Sequence, residues 1–179
     1  MLTVVTGCMF AGKTESLQEF MLERVSLNKR GIIFTSDSRH EGAVVSHSGK
    51  VLDNSNIDTV YIDPCRVATE TLILQCAPYS VIGFDEINFL YSGILICFWN
   101  AMKDSKDICM VGLNMDYKEY PFDSTMQMLS RADNIIFKHA YCEKCNGKAS
   151  LTIRKHCVAD RIVEGGKELY YPMCRGCKE

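Results

Sequence analysis

Apolar and polar residues follow two rhythms along this chain. Residues 2–6, LTVVT, form a short β-branched apolar run. From residue 14 to about 29 the spacing changes. Leu17, Phe20, Met21 and Val25 recur at helical intervals with Glu15, Glu19, Glu23 and Arg24 between them, which predicts an amphipathic helix. The runs GIIFTS (31–36), DTVYID (58–63), SVIGFD (80–85) and DICMVGLN (107–114) predict further strands. Their near-continuous apolar character suits parallel strands covered on both faces. The segments 66–76 and about 91–103 then predict crossover helices, so strands alternating with helices imply an α/β domain with a mostly parallel sheet. From about residue 141 cysteines, glycines and charges replace the long apolar runs. This shift predicts two units, an α/β domain at 1–140 and a small module at 141–179. There is no internal repeat and no low-complexity segment.

Composition narrows the function classes. With 179 residues, 47 % of them hydrophobic, the chain can bury a substantial core. A net charge of −2 argues against a general nucleic-acid or membrane-surface binder, whose footprint is a basic excess. The N-terminal MLTVVTGCMF has neither a basic lead nor a cleavage site and does not read as a signal peptide. The most apolar later stretch, FLYSGILICFWNAM, is too short to span a bilayer. A soluble cytoplasmic protein is therefore expected.

Residues 6–16, TGCMFAGKTES, contain G-x-x-x-x-G-K-[ST] in its required context of strand, loop and helix. Gly7, Gly12, Lys13 and Thr14 hold the fixed places. Backbone N–H groups of such a loop converge on phosphate oxygens. Lys13 would reach the terminal phosphates and Thr14 would help to hold Mg²⁺. A chance match in a glycine-containing turn is the competing reading. Met9 and Phe10 are unexpected in a loop that only wraps phosphate. Downstream, the strand in VIGFDEINFL (81–90) ends in Asp85 and Glu86, at the tip where open α/β sheets bind ligands. Asp85 suits Mg²⁺, and Glu86 suits taking a proton from an attacking oxygen; a solvated acidic turn remains the plain alternative.

Four of the ten cysteines form the pairs Cys142-x-x-Cys145 and Cys174-x-x-Cys177. Two such knuckles supply four thiolates to one tetrahedral ion, and zinc is favoured over an iron–sulfur cluster. Disulfides or unrelated thiols are the alternatives. The 28 residues between the knuckles would form a loop closed by the metal. Cys8, Cys65, Cys76, Cys97, Cys109 and Cys157 are unpaired by pattern and read mostly as small buried hydrophobes.

GCMFAGKT, DSR (37–39), FDEINF, GLNMDYKEYPF and the knuckles around VEGGKELYY occur in this order. Together they resemble the thymidine kinases of the cytosolic, bacterial and large-DNA-virus type over nearly the whole chain. The resemblance implies a P-loop NTPase-type parallel sheet flanked by helices, with a small C-terminal zinc-binding domain carrying a lasso loop. It implies Mg²⁺-dependent transfer of the γ-phosphate of ATP to the 5′-hydroxyl of thymidine or deoxyuridine. Glu86 matches the general base, Asp85 the magnesium-side acid, and Arg39 an arginine near the transferring phosphate. Gly7, Met9, Phe10, Ala11, Gly12, Lys13 and Thr14 match the ATP loop. Met9, Leu113, Phe122, Thr152 and Tyr170 match positions around the base, and Phe89 and Tyr117 match aromatics beside the nucleoside. The backbone from Val163 to Gly165 matches the lasso segment that reads the pyrimidine edge. Feedback binding of thymidine triphosphate and a homotetramer are also implied, with no membrane or direct nucleic-acid partner.

The chain departs from the family pattern in places. DEINFL stands for DEGQFF or DEAQFF, through Ile87, Asn88 and Leu90. Cys8 replaces a proline, Tyr117 replaces a phenylalanine, and Arg161 and Glu164 put charge into the lasso. The DEINFL departure motivates a rival reading, a non-catalytic or altered-specificity nucleotide binder. A nucleic-acid-stimulated ATPase gripping its strand through the zinc module is a further alternative, against which the net charge speaks. Several residues have plainer readings. Phe10 reads as an anchor beneath the loop, Tyr170 rather than Tyr171 as ligand-facing, and His47 as a loop hydrogen-bonder. Tyr91, Phe98 and Trp99 read as core or subunit contact.

Overall fold

A computed structural model describes residues 1–25, 29–37, 49, 52–156, 160–163 and 165–178. The central sheet has six strands: β1 (Leu2–Gly7), β2 (Gly31–Thr35), β3 (Ile57–Tyr61), β4 (Val81–Asp85), β5 (Asp107–Leu113) and β6 (Asn134–Lys138), in the order β3-β2-β4-β5-β1-β6. Every pairing is parallel, and α1 (Lys13–Arg24), α2 (Thr69–Gln75), α3 (Ser92–Met102) and α4 (Asp123–Leu129) flank it.

Strand periodicity distributes the core between the two faces. Val4, Phe34, Phe84 and Met110 pack with Leu72 of α2, Leu95 and Phe98 of α3 and Met128 of α4. Their sequence neighbours Val5, Ile33, Cys109 and Val111 point the other way, onto Leu17, Phe20 and Met21 of α1. Because both faces are covered, the strands read as unbroken apolar runs rather than alternating ones.

The five predicted strands and three predicted helices are present, with two differences. The first helix stops at Arg24, five residues before the predicted end. Val25 is extended and is the last apolar residue with a place against the sheet. The sheet also gains β6 and the helix layer gains α4, neither of which the apolar pattern marked.

Beyond the sheet, β7 (Ala140–Tyr141) pairs with β8 (Lys148–Ala149), and β9 (Leu151–Arg154) pairs with β10 (Tyr170–Met173), both antiparallel, followed by the short α5 (Arg175–Lys178). These elements pack against the loop after β1. Cys8 and Ala11 share one apolar cluster with Ala140, Cys142 and Ala149, and Phe10 lies against it. Phe10 is thus seated under the loop, as its plainer reading expected. Phe98 is in the core and Trp99 packs against it, whereas Tyr91 is exposed. Cys8, Cys76 and Cys109 are buried as expected, but Cys65 and Cys97 are exposed. Among the described residues no helix is long and apolar enough to cross a membrane.

Candidate active site

The strand ends aim the chemistry. β1 delivers its chain into the loop 7–12, whose shape depends on two glycines. At Gly7, φ is +149°, and a Cβ there would overlap the carbonyl oxygen of Lys138 on the adjacent β6; Gly12 takes the left-handed conformation at φ +75°. The helix α1 then starts at Lys13, directing its N-terminal N–H groups at the loop. The Lys13 ammonium is buried and donates to the carbonyl oxygen of Cys8 at 2.9 Å. The Thr14 hydroxyl donates to Asp85 at the tip of β4, 3.2 Å from Oδ2. Asp85 Oδ1 also accepts the N–H of Glu86 at 3.0 Å.

Burial pushes the Asp85 carboxyl up to about 7, and the neighbouring Glu86 adds to the rise; Lys13 and the hydrogen bonds from Thr14 and the Glu86 N–H oppose it. Glu86 itself has a left-handed backbone, φ 56° and ψ 42°, an uncommon conformation for a side-chain-bearing residue and one that accumulates at functional sites. Its carbonyl accepts from the Ser36 hydroxyl at 3.2 Å.

Lys13, Ser36 and Glu86 border one cleft, open to solvent, above the C-terminal ends of β1, β4 and β5, while Thr14 and Asp85 are not among its lining residues. Lys13 and Glu86 line it together with Met9, Phe89, Leu113, Tyr117, Phe122, Thr152, Val163, Gly165 and Tyr170. Every residue expected beside the nucleoside therefore borders the same space as the expected base. Met9 borders this cleft while its N–H donates to Thr152 Oγ1 at 3.0 Å, so the loop after β1 is tied to β9. Tyr170 donates its hydroxyl to the carbonyl of Val163 at 2.7 Å, and Tyr171 is not among the lining residues. Arg39, His47, Cys157 and Glu164 lie outside the described residues.

Sequence reasoning passed over Ser36, Asp37, Met115, Asp116 and Arg154, which also line the cleft. Arg154 had a usable signal, since it follows Thr152 by two along a strand and so shares its face. The departures in DEINFL fall away from the cleft. Ile87 and Leu90 are core residues and Asn88 is buried, whereas Glu86 and Phe89 face the cleft. Asn88 Oδ1 accepts the N–H of Leu113 at 2.8 Å, so the shorter amide holds the end of β5 in place.

Behind the cleft, the ligand sulfurs of Cys142, Cys145, Cys174 and Cys177 all lie within 4.8 Å of one another, and Cys145 Sγ is 3.7 Å from Cys174 Sγ. A tetrahedral ion with metal–sulfur bonds of about 2.3 Å sets sulfurs about 3.8 Å apart, so the group fits zinc. These four thiols are free and their sulfurs stand at metal-site rather than disulfide spacing. Backbone N–H groups of Cys174 and Cys145 aimed at Cys142 pull its thiol down to about 6, whereas hydrogen bonds with the Cys174 and Cys145 thiols push Cys177 up to about 12.

Residues 1–178 match the family model for thymidine kinase. The chain belongs to the thymidine kinase family. Within it, a thymidine kinase of Amsacta moorei entomopoxvirus is 31 % identical over 178 residues, covering 97 % of this chain and 95 % of the relative. One from Bacteroides fragilis is 30 % identical, covering 97 % and 84 %, and one from Pyrobaculum aerophilum is 31 % identical, covering 98 % and 96 %. Membership makes the chain an enzyme of the thymidine kinase class and accords with the α/β sheet and the four-cysteine cluster.

Proposed function

We propose that this chain transfers the γ-phosphate of ATP to the 5′-hydroxyl of thymidine, and of deoxyuridine, with Mg²⁺ as cofactor, in the cytoplasm. The observation that carries the reading is one cleft bordered both by Lys13 and Glu86 and by Met9, Thr152 and Tyr170. Phosphate-handling and acceptor-holding groups thereby share one space. In this reading 1–140 is the ATP-binding domain, 141–179 is the zinc-binding and lasso domain, and Cys142, Cys145, Cys174 and Cys177 hold a structural zinc.

Phosphoryl transfer depends on in-line placement and charge neutralisation more than on covalent catalysis. The loop N–H groups of 7–14 would cradle the donor phosphates. Lys13 would exchange its present carbonyl partner for phosphate oxygens, and Arg39 would approach the transferring group. Mg²⁺ held by Asp85 and Thr14 supplies positive charge to the phosphate oxygens when bound. Glu86 would accept the proton of the 5′-hydroxyl as its oxygen bonds to the γ-phosphorus and the bond to the leaving ADP oxygen breaks. Phe89 and Tyr117 would flank the nucleoside, with Met9, Leu113 and Phe122 around the base. The backbone at 163–165 would meet the pyrimidine edge and exclude water, the competing acceptor. Self-association and feedback by thymidine triphosphate accompany this reading.

A panel of deoxynucleosides offered with MgATP tests it. Thymidine-dependent ADP release is expected, with Glu86→Gln lowering turnover by about 10²- to 10⁴-fold while the circular dichroism and melting temperature stay near wild type. No acceptor-dependent ADP release from reduced, zinc-replete protein would sink the reading.

A further inference from the structure

A strap, residues 160–163, lines one side of the cleft through Arg161, Ile162 and Val163, and two arginines fix it. Arg154, on β9, donates to the carbonyls of Asp160 at 2.6 Å and Arg161 at 3.0 Å, and to the hydroxyl of Tyr170 at 2.9 Å. Its guanidinium also lies 3.9 Å over the ring of Tyr117. These bonds moor the strap to the hairpin from which it springs. Arg161 works in the other direction. Its Nε donates to Asp116 Oδ2 at 2.6 Å and its terminal nitrogen to the carbonyl of Pro121 at 3.1 Å, both in the loop after β5. The ion pair therefore joins the strap to the opposite lip of the cleft.

The two partners are not equivalent. The Asp116 side chain is 3 % exposed and that of Arg161 is 52 % exposed. Asp116 Oδ1 accepts the N–H groups of Lys118 at 2.8 Å and Tyr120 at 2.9 Å, which folds its loop whether or not Arg161 is present. Asp116 is thus a fixed anchor built into the lip, and Arg161 is the movable arm. Residues 162 and 163, next to that arm, border the same cleft as Glu86. A nucleoside entering or leaving on this side must pass the pair.

We propose that the Arg161–Asp116 pair is a latch that holds the strap closed over a bound pyrimidine nucleoside and sets its residence time, with Arg161 as a positioning residue. The proposal rests on the nucleoside-kinase reading. The latch acts on the acceptor and leaves the phosphate loop untouched, so it divides the kinetic constants. A half-exposed ion pair is also screened by salt.

Arg161→Ala, Arg161→Lys and wild type are compared with thymidine as the probe. In the alanine variant the thymidine dissociation rate and KM should rise about fivefold, a size suited to a partly exposed pair, with the KM for ATP unchanged. Hydrogen exchange of the 160–163 amides should quicken without nucleoside present. Lysine should recover part of each effect, and raised salt should speed dissociation from wild type more than from the alanine variant. An alanine variant that matches wild type in dissociation rate and exchange would overturn the latch while wild-type turnover stays intact. A wild type that neither binds nor phosphorylates thymidine would instead overturn the function reading, and the latch over a nucleoside with it.

Discussion

At the scale of single residues, Asp85 carries a tension that the proposed magnesium ion would resolve. Its carboxyl is buried beside Glu86, and burial favours the neutral form, raising it from 3.8 to about 7. The folded state therefore binds the Asp85 proton more tightly than the unfolded chain does. Stability from this group is fully present below about pH 4 and is lost as pH rises through about 7. In protein free of divalent cation, the melting temperature of wild type relative to Asp85→Asn should fall between pH 5 and pH 8. Magnesium with ATP should narrow that gap by pairing the carboxylate. Parallel melting curves for the two proteins across this range would show that Asp85 is not protonated in the folded site. Glu86 differs in kind, since its distinguishing feature is a left-handed backbone that turns its side chain into the cleft while Ile87 and Asn88 pass into the core.

At the scale of elements, the loop between β1 and α1 is held from outside as much as by its own sequence. Gly7 pairs in register with Lys138 of β6, and the Lys138 carbonyl fills the space a side chain would need. Gly7→Ala should destabilise the fold by about 3 kcal/mol through overlap and backbone strain, read from the midpoint of urea unfolding, and should weaken ATP binding. An unchanged midpoint would mean that β6 yields to the added methyl. The same contact shows why part of the fold was hidden in the sequence. Strands β1, β2, β4 and β5 are covered on both faces and announce themselves as apolar runs. In β6, residues Ile135, Ile136 and Phe137 are all exposed at the edge of the sheet, so a short run NIIFK gives neither a buried-strand nor an alternating signal. Helix α4 is seven residues long and carries only Met126, Met128 and Leu129 as large apolar side chains, too few to set a helical rhythm. The phosphate loop, Asp85, Glu86 and the cysteine knuckles were legible because their spacing is local. Asp116 was not, because its relation to the cleft depends on where a loop and a hairpin meet in space.

At the scale of the whole molecule, the cysteine cluster supports both rims of the cleft. Cys142 shares an apolar cluster with Cys8 and Ala11 of the loop after β1, and Thr152 on β9 accepts the N–H of Met9. On the other side Glu119, in the loop after β5, pairs with Arg175 at 2.7 Å and with Lys178, and these two residues flank Cys177 on α5. The Glu119 carboxyl is held below its usual range by Lys178 and Arg175. Exposed pairs of this kind contribute little one at a time, so with the proposed zinc bound the position of α5 would come chiefly from Cys174 and Cys177 meeting Cys142 and Cys145 on one ion. Structural zinc supplies folding free energy directly. Chelating the metal from reduced protein should therefore release about one zinc per chain and free α5, β9 and β10 together. Amides of Ile153 and Tyr171, which face each other in the β9–β10 ladder, should exchange faster, while those of β4 and β5, paired within the six-stranded sheet, stay protected. Thymidine KM should rise, and zinc added back under reducing conditions should restore both readouts. Cys177→Ser should reproduce the chelated state in part, since it removes one thiolate and leaves three. If chelation strips the metal yet leaves exchange in β9 and β10 and the thymidine KM unchanged, the hairpin is held by its apolar contacts alone, and the cluster has no part in shaping the acceptor site.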